Sequence, residues 1–183
     1  MSDKDPILEV FLKEYDKLKT EQAQRIGFRD NLLYVTLGVF VAVVSFALSN
    51  PSNFAALLII PWVCVILGWT YVVNDEKITA IGRYIRVTLA EKVKEKTGYP
   101  DSESLFGWEI VHRIDEQRKR RKIEQLVIDE IAFVVSGIVA VGTFWVLVPQ
   151  PGLAVRILSL VELLLLIVLG IEILVYANLA KTQ

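Results

Sequence analysis

From Leu153 to Ala180 the sequence is one apolar run broken by only three charges, Arg156, Glu162 and Glu172. About 20 such residues cross a hydrocarbon core of roughly 30 Å as a helix. In lipid every backbone N–H and C=O must be satisfied within the segment, which leaves a helix as the available solution. Three further runs follow the same logic: Leu32–Leu48, Phe54–Val73 and Ile131–Val148. Charges of both signs crowd into the segments between them. A chain that is 54% hydrophobic, with mean hydropathy +0.47, is too apolar for an ordinary soluble domain. The fold class expected is an all-α integral membrane protein, with four transmembrane helices and a cytosolic helical stalk.

Four stretches follow. Residues 1–31 form a cytosolic amphipathic arm, 32–73 hold transmembrane helices one and two, 74–130 a cytosolic helical pair, and 131–180 helices three and four. In the arm, Pro6 suits a first helical turn with Asp5 as N-cap. Leu8, Phe11, Leu12, Tyr15, Leu18 and Ile26 then make an apolar stripe at helical spacing. Its polar face is as acidic as it is basic, which favours packing on protein over lying flat in the headgroups. Ser49-Asn50-Pro51-Ser52-Asn53 and Pro149-Gln150-Pro151-Gly152 read as tight turns. Pro61 removes one backbone hydrogen bond inside the second span. Asn74 or Asp75 is expected to cap a new helix that Gly98 and Pro100 end. Another helix begins near Ser102 or Ser104 and runs without a breaker into the third span.

Lysine and arginine set the orientation. The turns at 49–53 and 149–152 have none, whereas the arm, the 74–126 block and Lys181 hold nearly all; Arg156 is the exception. Both termini are therefore expected in the cytoplasm, in a multi-pass protein of a bacterial inner membrane. The acidic, mixed N-terminus predicts no cleavable signal peptide. Cys64 is the single cysteine and His112 the single histidine, so no disulfide, metal centre or cofactor is expected. No Gly-rich phosphate loop, nucleophile elbow or paired-His motif is present, and no enzymatic activity is expected.

The glutamates carry the functional argument. A charged side chain in mid-bilayer costs about 2.5–3.5 kcal/mol on insertion scales, so an intramembrane acid is a functional candidate by default. Counted from the outer turn at 1.5 Å per residue, Glu172 lies roughly 28 Å in, at the cytoplasmic edge. That level meets Arg29, Asp30, Asn74, Asp75, Asp129 and Glu130, a polar belt in which Arg29 is the expected ion-pair partner. Glu172, Asp129 and Glu130 could instead form an acidic inner pore mouth. Glu162 lies roughly 13–14 Å in, near the midplane. The spans offer no Lys or Arg at that height, only Ser45, Cys64, Ser136, Thr143 and Ser159. Arg156, six residues away, is a poor helical neighbour and reaches more naturally for headgroups. Three placements are open: a neutral acid hydrogen-bonded between helices, a carboxylate on a water-lined path, or a side chain facing lipid.

Ala132, Ser136 and Ala140 recur at spacing four, a small-residue stripe that suits close helix packing within the chain or between subunits. Arg113, Arg118, Lys119, Arg120, Arg121 and Lys122 stand just cytoplasmic of the third span. Anionic lipid is their first expected contact, worth about 1 kcal/mol per basic residue, and an anionic ligand such as a nucleotide the second. Nucleic acid is disfavoured, because Asp115, Glu116 and Glu124 interleave the run and no aromatic platform accompanies it.

Arg25-Ile26-Gly27-Phe28-Arg29-Asp30-Asn31-Leu32, leading into the first span, resembles the small membrane effectors of bacterial conflict systems, the SLATT group. The stretch Trp69–Arg86 adds to the resemblance, which covers roughly the first ninety residues. This chain departs in having four spans rather than two. The resemblance implies an oligomeric membrane-perturbing protein held quiet until a partner or nucleotide signal arrives; no site residues transfer. The function expected is an oligomeric, channel-like protein gated through its cytosolic helices, whose partners are the bilayer, further copies of itself and a cytosolic protein or nucleotide. The alternative is a non-conducting scaffold that displays its stalk to a partner. A secondary transporter ranks third, since neither inverted repeats nor paired broken helices are visible.

Overall fold

The computed structural model describes residues 5–98, 106–107 and 117–179. All regular structure among them is helical. Helix α1 runs unbroken over Pro6–Ser49. A 3₁₀ segment, Pro51–Leu58, leads into α2, Ile59–Tyr84. A π-helical turn, Ile85–Leu89, joins α2 to α3, Ala90–Thr97. After the interval come α4, Arg118–Glu130, a second π-helical turn, Ile131–Val135, and α5, Ser136–Leu147. Helix α6 spans Leu153–Leu179. Four helical stretches are long and apolar enough to cross a membrane: Pro6–Ser49, Pro51–Thr97, Arg120–Leu147 and Leu153–Ala177.

Several local expectations are met and others are corrected. Asp5 Oδ1 accepts from Ile7 N at 3.0 Å, capping α1 just before Pro6. Asn50 caps the 3₁₀ segment by accepting from Ser52 N at 3.0 Å. Gly98 ends α3 in the left-handed region, φ 66°, where a residue without Cβ is unstrained. The helix boundary expected at Asn74 or Asp75 is absent, since α2 passes through both. Asn74 is buried mid-helix, and Arg25 Nη1 donates to its Oδ1 at 3.2 Å. A tertiary partner thus occupies the side chain that would otherwise have capped. Pro61 falls in the first turn of α2, where its missing N–H has no α-helical acceptor to lose. The helix start expected near Ser102 or Ser104 lies outside the described residues.

The chain divides into two compact units, residues 1–28 with 74–121 and residues 29–73 with 122–183. In the first, the N-terminal part of α1 runs antiparallel to the chain from Asn74 onward. Asp5 pairs with Lys96 at 3.0 Å, Glu14 accepts from Tyr84 Oη at 2.7 Å, and Gln22 donates to Ile78 O at 3.2 Å. Leu8, Phe11, Tyr15 and Leu18 of the predicted stripe are half-buried here, while Leu12 and Ile26 are exposed. Tyr15 stacks on Phe106 with centroids 4.3 Å apart. Ile85, Leu89 and Val93, four residues apart, supply the other side of this core.

The second unit has two apolar clusters. One gathers Ala47, Leu57, Leu58, Ile60, Cys64, Ala140, Val141, Phe144 and Leu166. The other gathers Leu32, Tyr71, Val72, Ala132, Phe133, Val134, Leu169 and Ile173. Apolar helices pack best where small residues allow their backbones a close approach. Two glycines provide it. A Cβ on Gly137 would stand 2.7 Å from Leu166 Cδ2, and one on Gly68 would stand 2.7 Å from Leu169 Cδ2 and 3.0 Å from Phe133 Cβ. The predicted small-residue stripe contributes less than these two positions. Ala132 and Ala140 are buried within the unit, whereas Ser136 is half-buried and donates to Ile131 O at 2.7 Å across the π turn.

Candidate functional site

The buried residues of α6 are Ser159, Glu162, Leu166, Leu169 and Ile173, together with Gly170. Their alternation of three and four residues is the spacing of a helix seam, with every side chain of the series on one face. Glu162 therefore occupies a core position of its own chain. It is 1% exposed, and neither carboxyl oxygen has a hydrogen-bond partner. Lipid exposure, one of the three placements left open by the sequence, does not occur.

The surroundings explain why the acid stands alone. Ser159, one turn earlier, is fully buried but already committed: its Oγ donates to Arg156 O at 3.0 Å and accepts from Trp145 Nε1 at 3.0 Å. Arg156 is exposed, and its Nε donates to Pro151 O at 2.9 Å in the turn before α6. Cys64 is buried on α2 with its Sγ turned toward Ala132 O at 3.9 Å. The Trp62 indole leans toward the Glu162 carboxyl without reaching hydrogen-bond geometry. A carboxylate placed there would have only the approach of the Trp62 indole to offset its lost hydration, so burial favours the neutral acid.

A second acid meets the same helix. Glu130, at the end of α4, has its Oε1 buried without a partner. Its Oε2 would lie 3.4 Å from a Cβ on Gly170, so the carboxyl packs against bare helix backbone. Gly170 follows Glu162 by eight residues, roughly 12 Å along the axis on a common face.

A polar chain stands beside it in the second unit. Arg29 pairs with Asp30 at 3.1 Å and lies over the Tyr71 ring, 5.9 Å from its centroid. Gln125 donates to Tyr71 Oη and reaches Asp129 Oδ1 at 3.4 Å, with Asp129 itself 5% exposed. Arg29, Asp30 and Asp129 thus belong to one polar network around Tyr71 and Gln125. Glu172 is half-buried, next to Ile173 of the seam. In the basic run, Arg120 and Arg121 are exposed and Lys122 is half-buried. Arg113 and the side chains of Arg118 and Lys119 lie outside the described residues.

Sequence reasoning missed Trp62, Tyr71, Gln125 and Trp145 as members of this site. Only for Tyr71, buried at 3% exposure, does the chemistry imply a polar neighbour, because a buried phenol needs a partner for its O–H. Among the described residues no group of His, Cys, Asp and Glu is placed to hold a metal ion. Compared with family models, with curated proteins and with solved structures, the chain finds no match.

Proposed function

We propose that this chain is a multi-pass protein of a bacterial inner membrane, both termini cytoplasmic, that acts in several copies as a channel-like or membrane-perturbing assembly gated through its cytosolic helices. The observation that carries this reading is Glu162, an unpartnered carboxyl sealed in the seam of α6. Holding an acid in that position costs stability, and an acid retained at a membrane midplane is the usual mark of an ion or proton route. The sealed form is the resting state. Opening rotates or separates α6 so that Glu162 meets water, with Glu130, Asp129 and Glu172 at the cytoplasmic mouth.

Two features support gating from the cytoplasmic side. Helix α1 runs without a break from Pro6 to Ser49, so one helix contributes residues to both units. The π turn at Ile131–Val135 sits beside Glu130, and π turns favour functional positions in helices. A bundle of four spans has little room for an aqueous path of its own, so this reading assigns conduction to several chains. The resemblance to small conflict-system effectors supports an effector role in defence, with a cytosolic protein or a nucleotide as the trigger. Purified protein in vesicles tests the reading: ion flux that is unchanged by Glu162→Gln and Glu172→Gln removes both residues from the mechanism.

One observation favours a second reading, a non-conducting scaffold. The first unit is tied together by its own contacts, Asp5 to Lys96 and Glu14 to Tyr84, which is what a displayed binding module needs. Under that reading full-length protein retains a cytosolic partner but passes no ions.

A further inference from the structure

We propose that Glu162, with Glu130 as a second acid on the same face of α6, is a proton-binding site, so that the cation this protein handles is the proton rather than a metal ion. The inference deepens the channel-like reading and rests on it for the word "handles"; the binding site itself stands on geometry alone.

The donor set makes the choice. A hard cation such as Ca²⁺ takes six to eight oxygen ligands and Mg²⁺ an octahedral set. Around Glu162 the second oxygen donor within a turn, Ser159 Oγ, is held by Trp145 and Arg156 O. Cys64 Sγ is turned to a backbone carbonyl, and the Trp62 indole offers a hydrogen where a metal would need a lone pair. A proton needs one oxygen, and both oxygens of Glu162 are unoccupied. No competing charge faces it. The first span from Leu32 to Ser49, the 3₁₀ segment and α5 carry no Asp, Glu, Lys, Arg or His, and the buried ionisable groups of α2 are Cys64 and Tyr71, a thiol and a phenol. On α6 itself Arg156 is directed into the preceding turn and Glu172 is half-buried further along.

Glu130 gives the site a second station. Its carboxyl rests on Gly170, where the missing side chain lets an acid lie on the helix that carries Glu162. Leu166 and Leu169, both fully buried, close the interval between them in the resting form. When the seam opens to water, the neutral acid of Glu162 releases its O–H proton to a water molecule and remains as carboxylate. Where the same opening has wetted Glu130 into its carboxylate form, that carboxylate takes the proton from the water chain and becomes the neutral acid. Charge and atoms balance with no redox partner.

Infrared difference spectroscopy of the full-length protein in lipid, titrated over pH, tests the site without reference to flux. The expected result is a carbonyl stretch of a neutral carboxylic acid that disappears as pH rises, is lost in Glu162→Gln and survives in the surface control Glu95→Gln. A wild-type protein without such a band at any pH, or a band indifferent to Glu162→Gln, overturns the proposal; the wild-type titration remains decisive if the variant fails to fold. In the second arm, vesicles are given a pH gradient or a Na⁺ or K⁺ gradient. Flux of Na⁺ or K⁺ that depends on Glu162 overturns the proton assignment while leaving the channel reading intact. The pH-dependent band in protein that passes no ions keeps the proton site and removes the channel.

Discussion

Trp145 donates its indole N–H to Ser159 Oγ at 3.0 Å, and so takes one acceptor position of the hydroxyl that stands one turn from Glu162. That contact leaves the acid alone in the core and gives it a protonation state that matters. With Trp145→Phe an acceptor position on Ser159 Oγ is freed, while its O–H still donates to Arg156 O. The expected outcome is a Glu162 environment with a new polar neighbour, read as a shift of its carboxylic band in the infrared spectrum; an unmoved band means Ser159 does not bear on Glu162.

Charge at position 162 should govern stability in a defined order. Glu162→Gln keeps shape and removes the ionisable group, so its thermal midpoint in detergent should equal or exceed that of the wild type. Glu162→Lys places a cation in the seam and should destabilise by on the order of 3 kcal/mol. Equal midpoints for the lysine and glutamine variants would mean that the position is wet in the resting state.

The two close-approach glycines should respond unequally to alanine. At Gly68 the new methyl meets Phe133 Cβ, an atom that cannot step aside, as well as Leu169. At Gly137 it meets the far end of Leu166. Overpacking typically costs about 1–3 kcal/mol, against a helix-propensity gain of about 1 kcal/mol. Gly68→Ala should therefore lower the midpoint clearly and Gly137→Ala less. Gly142→Ala, with nothing within 4 Å, should leave it unchanged or raised.

The first unit carries a pH dependence of predictable sign. Asp5 is hydrogen-bonded by Lys96, which holds its carboxyl below the ordinary carboxylate value against the opposing effect of burial, with the Ile7 N–H adding to the lowering. A carboxyl whose pKa is depressed by folding contributes stability that is complete above its unfolded value, about 3.9, and lost as pH falls through the folded value. Hydrogen exchange in the first turn of α1 should therefore accelerate below about pH 4, and Asp5→Asn should show the faster exchange already at neutral pH. Exchange indifferent to both changes would separate the contact from the stability of the turn.

Much of the architecture was legible because bilayers leave few options. The runs at 32–48, 54–73, 131–148 and 153–180 predict spans on length alone. Gly98 read correctly because its positive φ is what a glycine after a last helical turn is for. Asn74 misled for a physical reason: a capping side chain becomes a core side chain once Arg25 bonds it. The π turns at Ile85–Leu89 and Ile131–Val135 left no trace, since one added residue per turn does not disturb an apolar pattern enough to be read. The isolation of Glu162 from any basic group was visible from depth counting. Its burial in the seam was not, because the rotation of α6 is set by contacts such as Leu166 on Gly137.

The most direct measurement is the accessibility of position 162 itself, in a Glu162→Cys protein whose native Cys64 is replaced by serine. A membrane-impermeant thiol reagent added to protein in vesicles should leave this cysteine untouched at rest and modify it under the condition that makes the vesicles leak. Modification at rest, or no modification while the vesicles leak, would contradict the claim that opening brings this position from a sealed seam to water.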